Sequence, residues 1–510
     1  MKPLLLTTPE QHDYDDPTVE RNERRLQRWL DQLPLMNPPA ALPALLEALE
    51  GCNAQRMDGR ERLRLLECYR PAVAKLFMTV LQGRVTRLRG TPAERERVVE
   101  QLEGCCLAMA GGYKLVLSAA AHGAERQYAK QLPLALLRAM EHLAQGLLHS
   151  YRYYRPTPPF ALLELHRIYA HAARTGHPDA VPDSMPGGGQ PISLASLYRQ
   201  MLLLTLADPY RLADGELASV FASLVPYAPL SRLERGAAWE GDGEGLYLVD
   251  MASDSPPRAC VRLSSPGEAE DPWLLDATAA VKAMHRRLAQ LPAEQRRGSP
   301  EAVLLRQLLP EVAAGERRAQ VRRDSDQQAL LLAGVEAVHR YLSGQPQADA
   351  GDGAAAIVEP ALWDMVDRSE GGLQLAGDER GISHLQVGEL VGVVSDAQAS
   401  TQPVCLAVVR WLRRDRDRRL QLGLEIIPGV PAPVRCGPQQ APPDGAVECL
   451  FIPSQAGGAA ATLLAPAELY EPAARLLVQA GDRGVPVCAG TALQQTPCFD
   501  HFHFSADRDA

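Results

Sequence analysis

Two stretches carry residue types suited to binding chemistry. "GERRAQVRRDSD" at 315–326 sets Arg317, Arg318, Arg322 and Arg323 within seven positions, where mutual repulsion calls for an anionic partner. A guanidinium is a planar fork that binds phosphate through paired hydrogen bonds, donates to guanine O6 and N7, and stacks on purine faces. "VDRSEGGLQL" at 366–375 places the carboxylate of Asp367 two residues before the hydroxyl of Ser369. Gly371 and Gly372 follow, expected to permit left-handed backbone and the close approach of a flat ligand. The guanine edge opposite O6 and N7 carries N–H donors, which a carboxylate accepts. Arginines and an Asp/Ser turn thus cover both edges of one base and its phosphate. Each stretch alone has a plainer reading: a solvated basic linker partly neutralised by Glu316, Asp324 and Asp326, and an ordinary hairpin turn.

Taken in order, Arg318-x-x-x-Arg322 followed by Asp367-x-Ser369-x-x-Gly372 resembles the two-part signature of PilZ domains, bacterial receptors for cyclic di-GMP. "GELVGVV", "VCLAVVRWLRRD" and "LQLGLEII" look like later strands of that barrel, with Gly423 near the family's late glycine, so the resemblance covers roughly 315–430. It implies that Arg318 and Arg322 bind phosphate and guanine, that Arg317 stacks, that Asp367 and Ser369 bond a guanine edge, and that Gly372 keeps the turn open. Arg323 and Gly371 are secondary candidates. The 45 positions from Arg322 to Asp367 exceed the family's usual spacing, because the helix-like "VEAVHRYLSG" and a following loop are inserted. The helical extension before the barrel resembles the FimW-like type, linked to surface attachment, pili and biofilms.

Other clusters read as structure. Arg410, Arg413, Arg414, Arg416, Arg418 and Arg419 alternate with Asp415 and Asp417 like a solvated hairpin tip. With Trp411 beside them they are also the one place where RNA binding by a β-surface could start. His501 and His503 share a strand face without a third ligand, so no metal site is assigned, and His166 and His171 share no helix face well. Adjacent Cys105 and Cys106 read as helix core. No local nucleophile context suggests catalysis, and the expectation is a binding protein with no cofactor beyond its ligand.

These residues need elements to hold them. From 17 to about 228 the apolar spacing is helical. Asp16 and Pro17 suggest a helix start, Pro71 a kink or break, and Thr91 with Glu94 a capping box, in a bundle or repeat-like array over 1–228. The "GGG" of the loop at 175–191 lacks the Lys and Ser/Thr of a phosphate-binding loop. Residues 229–312 form a mixed joining region, with "GLYLVDM" and "RACVRLS" as strands and "PWLLDATAAVKAMHRRLAQL" as helix. Residues 313–510 alternate short apolar runs with turns. The fold class expected is α+β multidomain: a helical N-terminal region, then a PilZ-like antiparallel β-barrel whose stretch from 431 adds further strands and a helix.

The 510 residues suffice for two to four domains. Fifty-three basic against 62 acidic side chains, net −9, argue against a protein that coats DNA or anionic lipid. No apolar run approaches the roughly 18–20 residues of a membrane helix, and ten cysteines without a C-x-x-C pair fit a reduced, cytoplasmic protein. The resemblance implies a cytoplasmic cyclic di-GMP receptor that passes ligand binding to an unidentified protein partner through the helical region, with recruitment to a cell pole or membrane-associated machine through that partner. A helical scaffold with a silent, non-nucleotide-binding barrel is the alternative.

Overall fold

The computed structural model describes residues 4–82, 91–120, 130–179, 181, 192–236, 243–263, 269–292, 301–302, 305–306, 308–309, 323–325, 327–344, 361–378, 385–395, 404–415, 417, 419–439, 445–454, 460–481 and 483–506. Contacts divide the chain into two compact units, the first made of Met1–Tyr153, Thr157–Pro209 and Gly215–Arg317 and the second of Tyr154–Pro156, Tyr210–Asp214 and Arg318–Ala510.

In the first unit, α1 (Glu23–Gln32) starts on Asn22, whose side chain accepts the Arg25 N–H. The start expected at Asp16 and Pro17 is not a helix, because the Asp16 carboxylate folds back to accept the Thr18 N–H and hydroxyl. α2 (Pro38–Ala54) and α3 (Gly59–Gln82) follow, and α3 runs through Pro71 without a break. The Thr91/Glu94 capping box opens α4 (Pro92–Ala119). From Met109 to Leu117 every residue of α4 is buried, so the helix is covered on all sides there. Such a helix must be enclosed, and it packs on α2, α3 and α5 (Leu132–Arg152). α6 (Ala161–Thr175), α7 (Leu194–Leu206) and α8 (Glu216–Ser223) complete the helical series. A buried ion pair, Lys114 Nζ to Glu164 Oε2 at 2.8 Å, also holds Thr7, whose N–H and hydroxyl bond Glu164 Oε1. Removing either charge would leave the other uncompensated in the interior.

The mixed region belongs to this unit. Strands β1 (Arg232–Arg235), β2 (Leu246–Asp250), β3 (Arg258–Ala259) and β4 (Pro272–Asp276) form an antiparallel sheet in the order β1, β4, β2, β3. "PWLLD", expected as helix, is β4, with alternating burial of Trp273 and Leu275, and α9 starts only at Thr278 and ends at Gln290. The Asp276 carboxylate accepts the Thr278 N–H and hydroxyl and sets that boundary.

The second unit contains β5 (Arg323–Asp324), β6 (Gln328–Ala333), α10 (Val335–Leu342), β7 (Ala361–Arg368), β8 (Gly372–Gly377), β9 (Leu390–Val394), β10 (Cys405–Arg414) and β11 (Leu420–Ile427). β7 pairs with both β6 and β8, which closes the antiparallel ring β6, β7, β8, β11, β10, β9. Its interior alternates along each strand: Leu331, Trp363, Met365, Leu373, Leu375, Val391, Ala407, Val409, Leu422 and Leu424. Gly377 leaves space for the Trp363 ring, with which a Cβ would collide.

Residues 432–506 do not add strands or a helix to that ring. β12 (Ala432–Pro438), β13 (Val447–Ile452), β14 (Thr462–Pro466), β15 (Arg475–Ala480), β16 (Arg483–Gln495) and β17 (Phe499–Ala506) close into a second barrel, in the order β12, β13, β14, β17, β16, β15. Counted from its own first strand, each ring follows the order first, second, third, sixth, fifth, fourth. Between them lies a shared apolar layer: Val335 and Val338 of α10, Leu332, Leu390, Leu406 and Val408 from the first ring, and Leu450, Ile452, Leu464 and Phe499 from the second. The inserted helix is thus a wedge in the core, seated on Gly392, where a Cβ would lie 2.8 Å from Val338 Cγ2. β10 accordingly buries both faces, which explains the near-continuous apolar run "VCLAVV".

Candidate nucleotide-binding site

The turn from β7 to β8 is held from within. Ser369 donates its N–H to the Gly372 carbonyl at 2.8 Å and its Oγ–H to the same oxygen at 3.3 Å, while the Gly371 carbonyl accepts the Ile426 N–H at 2.9 Å. Neither glycine has the positive φ expected for it. Gly372 is demanded by space instead, since a Cβ there would stand 2.8 Å from the Leu424 carbonyl oxygen. Asp367 is half-buried near the end of β7, beside Gln374 in register, and Ser369 is half-buried too.

β5 brings the chain that follows the arginine segment to this turn. Arg323 pairs with Arg368, and Asp324 with Asp367. Ser325 then donates its N–H to Val366, and Met365 to Gln327, so β5 and β6 run along one side of β7. The long insert does not part β5 from β7, because α10 leaves between β6 and β7 and packs into the shared core. Of the sequence candidates, Arg323, Asp367, Ser369, Gly371 and Gly372 are brought together at one rim of the barrel, with Arg323 exposed. Arg317, Arg318 and Arg322 lie outside the described residues.

The neighbouring arginines are engaged on the surface. Arg410 pairs with Glu425, and Arg419 Nη2 with Asp364 Oδ2 at 2.6 Å. Hydrogen bonds from Gln328 and then Arg419 hold the Asp364 carboxyl below its ordinary range. These pairs favour the solvated-hairpin reading of 410–419 over an RNA surface. His501 Nε2 lies 3.0 Å from Thr462 Oγ1, and burial pushes this imidazole down to about 4. No group of three or more possible ligands for a metal ion occurs among the described residues, and among them no helix is long and apolar enough to cross a membrane.

Residues 24–238 match the family described as cyclic-di-GMP receptor FimW, N-terminal domain, and residues 354–433 that described as its middle PilZ domain. Together the two matches span more than half of the chain. The chain belongs to the FimW family. The cyclic-di-GMP receptor FimW of Pseudomonas aeruginosa is 25% identical to it, over 86% of this chain and 81% of the relative. In FimW terms, the PilZ match takes in the Asp367 turn and β7 to β11 but starts after the arginine segment, β5 and β6. The strand pairing supplies what that span leaves out, since β6 is a full member of the ring.

Sequence reasoning missed the second barrel, and it read Trp411 as a possible RNA contact, whereas the indole lies over Gly423, where a Cβ would collide with it.

Proposed function

We propose that this protein is a non-enzymatic cyclic di-GMP receptor. Arg318 and Arg322 grip phosphate and guanine, Arg317 stacks, Asp367 and Ser369 bond a guanine edge, Gly372 keeps the turn open, and Arg323 and Gly371 complete the rim. The observation that carries this reading is the pairing of Asp324 with Asp367 and Arg323 with Arg368, which puts the chain just after Arg322 beside the Asp-x-Ser turn. The likeness to the receptor FimW supports the same ligand. Ser369 turns its hydroxyl inward at present, and a rotation about χ1 would release it to a base edge at the cost of one weak bond.

The ligand bound at the barrel's rim makes 313–510 the ligand-responsive part, and the unit made of the 1–228 helices and the 229–312 mixed region passes the change to a protein partner. The protein works in the cytoplasm, recruited to a pole or a membrane-associated machine through that partner, and serves surface attachment, pilus-based motility or biofilm formation. The test is calorimetric titration of the full-length protein with cyclic di-GMP, beside the Arg318→Ala, Arg322→Ala double variant. Saturable binding that the variant loses is expected; equal binding by both proteins, or none by either, overturns the reading.

A further inference from the structure

The turn between α1 and α2 is apolar, where turns are ordinarily built from polar residues and glycine. Leu33, Pro34, Leu35 and Met36 follow one another there, and the N–H groups of Leu33, Leu35 and Asn37 close the turn on the carbonyls of Leu30, Leu33 and Pro34. The side chains are not drawn into the core: Leu33 and Leu35 are half-buried, Pro34 is exposed, and Met36 is 74% exposed. A run of four apolar residues held at the surface is a liability unless something covers it. With Leu30 of α1 and Lys75 of α3, the turn lines an open cleft of about 490 Å³. On the α3 side Pro71, Lys75 and Met78, spaced i, i+4 and i+7, form an exposed stripe.

The charge around this cleft is mostly of one sign. The ion pairs that tie α1 to α3, Arg21 with Glu61 and Glu23 with Arg64, stop short of it. Beyond them Arg24 and Arg28 stand one turn apart on α1, both exposed, and Arg28 Nε donates to the Arg24 carbonyl. Neither guanidinium meets a carboxylate among the described residues, and nor does the exposed Lys75 ammonium. The anion at the cleft, Asp31, accepts Gln27 Nε2 at 2.9 Å. In a chain of net charge −9, three cations left over beside an uncovered apolar surface call for an acidic occupant.

We propose that this cleft docks an amphipathic helix of a protein partner, whose apolar stripe covers Leu33, Leu35 and Met36 and whose flanking Asp and Glu side chains meet Arg24, Arg28 and Lys75. A helix laid in a groove presents apolar anchors at i, i+3, i+4 and i+7, with polar residues on either side. The unbranched thioethers of Met36 and Met78 adapt to the shape of such anchors. The inference rests on the reading that the helical unit engages a partner, and it adds where that partner sits and by what chemistry it is chosen.

The test places the photo-crosslinker p-benzoylphenylalanine at position 36 of the full-length chain, in cells of the source organism, and sequences the cross-linked peptide. The same chain with Arg24→Glu, Arg28→Glu and Lys75→Glu is run beside it. Expected is a peptide with several carboxylates flanking apolar residues at helical spacing, and a yield that falls roughly 10-fold or more on charge reversal. Lysines put in place of those carboxylates in the captured segment should restore the cross-link to the reversed chain, which also shows that this chain is folded. A cross-link to a second copy of this chain, to lipid, or to a segment without an excess of carboxylates overturns the proposal. So does a yield that charge reversal leaves unchanged, a loss that the lysines do not restore, or no cross-link at all. Failure of the cross-link beside intact cyclic di-GMP binding by the wild type removes the cleft and leaves the receptor. The expected cross-link beside absent ligand binding keeps the cleft and removes the receptor.

Discussion

In the first barrel the chain leaves its second strand through Asp367 and Ser369; at the same place in the second ring it leaves through Ile452 and Ser454. In sequence, Ile452-x-Ser454-x-x-Gly457 stands against Asp367-x-Ser369-x-x-Gly372 with an apolar side chain in place of the carboxylate, and the connection is longer, since β14 starts only at Thr462. Ile452 is buried in the layer the two barrels share with α10. No arginine segment precedes the second barrel either, where "PGVPAP" fills 428–433. One connectivity thus serves two ends. A position facing water can carry recognition, and the matching position facing a neighbouring barrel is committed to packing. The alternative of a silent interaction barrel describes the second ring better than the first.

The largest expected effect tests whether the barrels are one cooperative body. Val338→Asp would bury an uncompensated carboxylate in the shared layer and cost roughly 3–5 kcal/mol. Amide exchange should then accelerate in β9 and β13 together; acceleration confined to one ring would break the claim of a common core. A smaller, functional effect separates the turns. Asp367→Ala should weaken cyclic di-GMP binding by about 1–3 kcal/mol, with less loss for an adenine analogue. Ser454→Ala should leave binding unchanged, and any loss there would give the second turn a role in the ligand site.

Acid should separate the rings again. The strands β6 to β11 contain no histidine, whereas β17 holds His501 with its folded-state value near 4. An unfolded histidine titrates near 6.5. Between roughly pH 6.5 and 4, then, the unfolded chain binds a proton that the folded barrel refuses, and stability falls as pH drops through that window. The thermal midpoint should track this fall, and His501→Gln should make it shallower, the remainder coming from the buried His142 and His166; an unchanged slope would mean that the imidazole is not buried in solution. The smallest effect belongs to the exposed pair Arg419 and Asp364. Arg419→Ala should cost under about 1 kcal/mol in chemical denaturation, and a larger loss would show that this hairpin supports the first barrel.

The ligand motif was legible because its parts are short and local. Two arginines four apart and an Asp-x-Ser turn keep their meaning whatever lies between them, and the capping box at Thr91 and Glu94 works within a single helical turn. Start signals misled at Asp16 and "PWLLD", where an aspartate side chain that accepts the N–H two residues on outweighed apolar spacing. The closure of 432–506 into its own ring could not be read from its strands, since alternation marks a buried face without naming the strand beside it. The same holds for the rim, where Asp324 and Asp367 are 43 residues apart along the chain and neighbours only across paired strands. Sequence spacing sets the local chemistry of this protein. Which side chains share a face, and hence which of two like barrels presents a site, follows from strand register and from the burial that register imposes.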